Sequence, residues 1–137
     1  MQFLLLLLLP AAAAQNLRNR RAYFAFAVLP FLLQIFQNHD QITGFRCLGH
    51  SGYADAGSDI ICAGVSALVI NTINAIDTFT DSVYRIDTEE ESGLIDFELE
   101  KEAGHDTLLL LRSMVLGLQG IQNDYGNEFI ILDFKEV

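Results

Sequence analysis

The sequence predicts an α+β fold, a mixed β-sheet with two helices packed against it, on three observations. Five short apolar-rich runs have strand length, two longer stretches repeat apolar residues every three or four positions, and polar or glycine-containing turns separate them. The order is β-β-α-β-β-α-β. Strands and helices in that order are satisfied by helices laid on one sheet, so that each buries its apolar side against the other.

Leu32 to Gln37 and Thr43 to Leu48 are apolar-rich and flank Asn38, His39, Asp40 and Gln41, a polar turn cluster, so they read as a β-hairpin. A small-residue loop, GHSGYADAGS, follows; Gly49, Gly52 and Gly57 keep its backbone free. Asp59 suits a helix N-cap, and Ile60, Ile61, Val65, Leu68, Val69, Thr72, Ile73 and Ile76 then form an inward face to about Asp77. Ser82 to Asp87 and Leu94 to Glu100 are two more strands, joined by the acidic turn Thr88 to Gly93; the second alternates apolar and acidic residues in the half-buried pattern. Asp106 or Thr107 caps a second helix. Its Leu108 to Leu111, Val115, Leu116, Leu118 and Ile121 are expected to face inward, and Phe129 to Phe134 is a last, buried strand.

Composition narrows the function. With 8 basic and 18 acidic side chains the net charge is −10, and the sequence pI is near 4.4. Nucleic-acid affinity comes mainly from Lys and Arg neutralising phosphates, so direct DNA or RNA binding is disfavoured. No Rossmann glycine fingerprint or phosphate loop is present, and His39, His50, His105, Cys47 and Cys62 match no zinc spacing, so no cofactor or metal is expected. Two cysteines do not make a disulfide scaffold.

The first 33 residues hold Arg18, Arg20 and Arg21 and no acid, leaving residues 34–137 with 5 basic and 18 acidic groups, a net of −13. The N-terminal piece has a short apolar run, Phe3 to Leu9, and an alanine cluster, Ala11 to Ala14, like a secretory segment with its cleavage site; no positive charge precedes the run. The run falls far short of the ~20 apolar residues that span a bilayer. Three readings stand: a signal peptide, a membrane-lying anchor completed by Ala22 to Phe36, or an in-frame extension upstream of the real start. The expectation is the last, with 1–33 outside a domain of 34–137 that stays cytoplasmic and off the membrane.

One stretch is chemically distinctive. If Asp59 is the N-cap, Cys62 stands in the first helical turn, where unpaired N–H groups and the helix dipole favour a thiolate. His50, across the glycine loop, is the right residue type for a base at neutral pH. Together they could form a Cys/His nucleophile. From spacing alone, though, a cysteine among Ala, Gly and Val reads more readily as a small buried residue, Ser66 as a backbone-bonded hydroxyl, and Asp59 as a cap only. Cys47 is expected to be structural and His39 and His105 to be solvated.

The words GHSGYADAGSDIICAGVSALVINTINAI, Gly49 to Ile76, closely resemble the signature of the ribosomal-processing cysteine protease family, and GLQGIQNDYGNEFIILDF, Gly117 to Phe134, looks like its closing helix and strand. The resemblance covers about residues 34–137. It implies Cys62 as nucleophile and His50 as general base and acid, with Asp59 and Ser66 as supports. From its residues alone, the segment Ser51 to Ser58, which holds Gly52 and Gly57 and few large apolar groups besides Tyr53, is expected to be a mobile loop that rearranges when substrate binds. The resemblance also implies a homodimer acting on large-subunit ribosomal protein twenty-seven, whose short N-terminal extension is removed. The rival reading is a non-enzymatic ribosome-assembly or interaction module that uses the same acidic surface and needs no thiolate.

Overall fold

The structure is a computed structural model, and it describes residues 31–49, 56–127 and 129–137, with side chains from Ile60 onward in the second span. The elements are β1 (Phe31–Asn38), β2 (Gln41–Leu48), α1 (Ala56–Phe79), β3 (Tyr84–Glu89), β4 (Leu94–Leu99), α2 (His105–Tyr125) and β5 (Ile130–Glu136). This is the expected order and fold class. The strands form one five-stranded sheet, β3-β4-β2-β1-β5, antiparallel throughout except where β5 lies parallel to β1. β2, which leads into the loop before α1, is its central strand.

Period-two alternation gives the sheet a dry face and a wet one. Leu33, Ile35, Phe45, Cys47, Ile95, Phe97 and Ile130 are buried and meet the inner sides of the helices in one core. The alternate residues carry the ion pair Arg46–Asp96 at 2.6 Å. The rings of Phe45 and Phe97 stack at 5.0 Å across β2 and β4. At Gly44 those strands come so close that a Cβ would lie 2.4 Å from the Phe97 carbonyl oxygen, so glycine alone fits there.

In α1 the buried positions Ile61, Cys62, Val65, Ser66, Val69, Thr72, Ile73 and Ile76 follow the predicted spacing. Ile60 does not; it is 59% exposed. The stretch Ile60–Phe79 is long and apolar enough to cross a membrane by composition alone, yet its buried side is part of the core. α2 crosses α1 closely, with Leu68 methyls 2.9 Å from where a Cβ on Gly117 would be.

Three local expectations fail. α2 starts at His105 behind Gly104, which gives no side-chain cap, so neither Asp106 nor Thr107 is the N-cap. Thr107 is buried instead and shares a 2.6 Å hydrogen bond with Ser82. Leu109 and Leu116 point outward at 59% and 71% exposure, because the buried stripe runs through Thr107, Leu111, Met114, Val115 and Leu118. A run of four leucines contains no periodicity of its own, and the partner surface decided which of them turned inward. Finally, β1 begins at Phe31, and Phe31 and Leu33 are core residues paired to Ile130 and Leu132, so the first strand takes in residues the charge pattern had assigned to the extension.

Candidate active site

β2 ends at Leu48, and Gly49 follows with φ +106°, a conformation that glycine adopts without a Cβ penalty. The Gly49 N–H donates to the Ser92 carbonyl at 3.3 Å, tying the end of β2 to the β3–β4 turn. His50, Gly52 and the loop up to residue 55 lie outside the described residues, and Gly57 and Asp59 are described as backbone only.

That backbone changes the local argument. α1 starts at Ala56, so Gly57, expected in a mobile loop, is its second residue; Asp59 is its fourth residue rather than the N-cap, and Cys62 is its seventh, in the second turn. The Cys62 amide therefore lies within the run of intrahelical hydrogen bonds. The N–H groups without such a partner are those of residues 56–59, about one turn nearer the helix start. The helix thus begins earlier than the capping preference suggested, through Gly57 and Ser58, two residues of low helix propensity.

Cys62 is 2% exposed, with Ile61 and Val65 beside it in the core. Ser66, one turn on, is 7% exposed, and its hydroxyl has no hydrogen-bond partner among the described residues. Cys47 is equally buried on β2, between Leu33 and Ile95 in the ladder. Burial, and secondarily the charge of Cys62, pushes its thiol up to about 12. At neutral pH Cys47 is a neutral core residue, as expected. No Cα of α1 lies within 8 Å of a Cα of β2 among the described residues, which is beyond the reach of a Cys47–Cys62 disulfide without backbone movement. Both cysteines are thiols.

His39 and His105 are exposed, as expected, and no metal-binding group of His, Cys, Asp or Glu occurs among the described residues. A cleft of about 440 Å³ lined by Ser82, Lys101, His105 and Thr107 sits at the far end of α1, beside Phe79. Seventeen residues of helix separate Phe79 from Cys62, roughly 25 Å along the axis. No thiol lines this cleft. What sequence reasoning missed is the tie between the β3–β4 turn and the end of β2, since a hydrogen bond between backbone atoms 43 positions apart leaves no trace in residue type.

A mixed five-stranded sheet with two helices, the first carrying a buried thiol in its second turn, defines an α+β scaffold with a cysteine in its core. The family profile described as cysteine protease Prp matches residues 32–130, and the chain belongs to that family. The ribosomal processing cysteine protease Prp of Bacillus subtilis is 34% identical over 96 residues, which are 66% of this chain and 86% of that protein. The Staphylococcus aureus protein of the same name is 32% identical over 87 residues, 64% of this chain and 81% of its own. Among solved structures, the S. aureus ribosomal processing protease Prp with a covalently linked product peptide superposes with a TM-score of 0.70 at 29% identity, over 77% of this chain and 99% of that one. A Streptococcus mutans protein, 19% identical, shares the fold with a TM-score of 0.72 over 80% of this chain and all of its own.

Proposed function

We propose that this member of the cysteine protease family is a cytoplasmic endopeptidase that removes the short N-terminal extension of large-subunit ribosomal protein twenty-seven. Cys62 is the nucleophile and His50 its base. The observation that carries the reading is the position of Cys62: a thiol buried in the core, the seventh residue of the helix that follows β2 in the chain.

In this mechanism His50 takes the Cys62 proton, the thiolate Sγ attacks the scissile carbonyl carbon, and His50 returns the proton to the leaving amine as the C–N bond breaks. Water, deprotonated by the same imidazole, then hydrolyses the thioester and restores the thiol. The N–H groups of residues 56–59 are the donors available to the developing oxyanion, in place of the Cys62 amide. Asp59 and Ser66 support the geometry rather than react.

The net of −13 over residues 34–137 steers a basic ribosomal protein toward the enzyme and argues against direct nucleic-acid binding. Exposed Leu109 and Leu116 on the outer side of α2 suit a homodimer. A non-enzymatic assembly module would share the acidic surface but has no use for a thiol held at this position. The test is cleavage of a peptide spanning the ribosomal protein's extension: Cys62→Ala should abolish it and Cys47→Ala should not. Normal cleavage by the Cys62 variant would refute the reading.

A further inference from the structure

We infer that the cleft beside Phe79 docks a basic, extended segment of polypeptide and, on the protease reading above, that it grips a substrate at a second place remote from the thiol. Its two walls come from different parts of the chain and are tied together. One wall runs from the end of α1 into β3. There Thr80 Oγ1 donates to the Ile76 carbonyl at 2.7 Å and accepts the Ser82 N–H at 3.2 Å, which pins the segment against the helix end. The other wall runs from β4 into α2. The Glu100 N–H donates to the Val83 carbonyl at 2.9 Å, and the Ser82 and Thr107 hydroxyls join the walls at 2.6 Å. The cleft of about 440 Å³ is thus formed before anything enters it, which lowers the ordering cost of binding.

Its lining selects the occupant. Phe79 and Val83 are 75% and 51% exposed, and the Phe79 ring stacks on no other ring among the described residues. Asp81 and Glu102 are exposed carboxylates with no ion pair among the described residues, and Asp106 adds a third negative charge in the first turn of α2. Lys101 is the one lysine or arginine that lines the cleft with them. The bias extends past the rim, since residues 77–106 hold eleven of the 18 acidic side chains against Arg85 and Lys101. An exposed aromatic ring beside unpaired carboxylates suits an arginine or lysine side chain, whose cation lies over the ring and whose N–H groups reach the acids. An anion drawn to the uncapped start of α2 meets those carboxylates instead. The distance of roughly 25 Å along α1 to Cys62 is covered by about eight residues of extended chain, so one peptide can occupy both places.

The binding probe is a fluorescein-labelled decapeptide of alternating arginine and glycine, read by anisotropy with the full chain at about 50 mM salt. Asp81→Lys combined with Glu102→Lys should raise its Kd at least ~10-fold, and Phe79→Ala should raise it about threefold. Glu90→Lys combined with Asp124→Lys makes the same change of net charge away from the cleft and should leave Kd within about twofold. Equal weakening by the two pairs would reduce the attraction to overall charge and overturn the inference, as would tighter binding of a glutamate–glycine decapeptide. Turnover separates docking from the protease reading. On an extension peptide with arginines about eight to twelve residues from the scissile bond, the cleft pair should raise KM about fivefold or more with kcat within about twofold; on a peptide lacking them it should change neither. If wild type cuts neither peptide while the probe still binds the cleft, the protease reading fails and the docking site stands. If wild type and the cleft pair cut the arginine-bearing peptide with the same KM, the role in substrate capture is overturned.

Discussion

The two cysteines sit in one core, each 2% exposed, and they occupy chemically different regions. Cys47 is on the central strand, paired on both sides within the ladder, and its proton is held until about pH 12. Cys62 is on a helix, two turns from its start, where the chain has just emerged from the loop that carries His50. Burial alone does not separate a nucleophile from a packing residue. The separation comes from what the adjoining backbone can present: a strand interior offers only paired amides, whereas the beginning of a helix offers unpaired N–H donors and access from a loop.

The largest effect that would break this contrast is on turnover. Cys62→Ala should lower kcat/KM by at least ~10³-fold, with the melting curve little changed, since the lost group is one sulfur; cleavage assays on the extension peptide and circular dichroism read both. Next in size is an effect on folding. A chain that starts at Gln34, as the charge boundary suggested, lacks Phe31 and Leu33 and with them two core positions of the β1–β5 pairing. Loss of such side chains costs about 3–5 kcal/mol for Phe and about 2–5 for Leu, so denaturant titration should find that variant largely unfolded, while a chain starting at Phe31 keeps both. A fully stable protein from Gln34 would mean that the edge of the core is less important than its burial indicates.

Smaller, and specific to the strand cysteine, is a pH effect. The Cys47 thiol ionises at about 12 in the folded chain against an ordinary 9.0, so the unfolded chain releases this proton first. Its contribution to stability is whole below pH 9 and declines between 9 and about 12, by ~1.4 kcal/mol per pH unit. Urea titrations at pH 8, 9 and 10 should show wild type losing stability faster than Cys47→Ala over the upper interval, and parallel curves would contradict a buried neutral thiol. Activity at pH 7.5 should be kept in Cys47→Ala within about twofold, because the side chain is not part of the dyad.

The fold was legible because its signals are periodic. Alternation in Leu94 to Glu100 and the three-and-four spacing from Ile61 to Ile76 report which side is dry, and the structure buries those sides. Where periodicity is lost, so is the reading: Leu108 to Leu111 offered four equivalent apolar residues, and only the surface beneath α2 chose Leu111 over Leu109. The start of α1 was placed three residues late because Asp59 is a better cap by type than the residues before Ala56, and cap preference, worth ~1 kcal/mol, is easily outweighed by packing along a 24-residue helix. In the candidate site Cys62 could be singled out by motif, and the helical spacing puts it among the buried positions of α1. The tie between Gly49 and Ser92 could not, because it joins backbone atoms and depends on the register of three strands.

Covalent trapping tests the central claim most directly. The full chain, incubated with a peptide of the ribosomal protein's extension that ends in a chloromethyl ketone, should gain one adduct mass, and peptide mapping should place it on Cys62 with Cys47 unmodified. An adduct on Cys47, or none on either thiol while the extension peptide is still cleaved, would contradict the account.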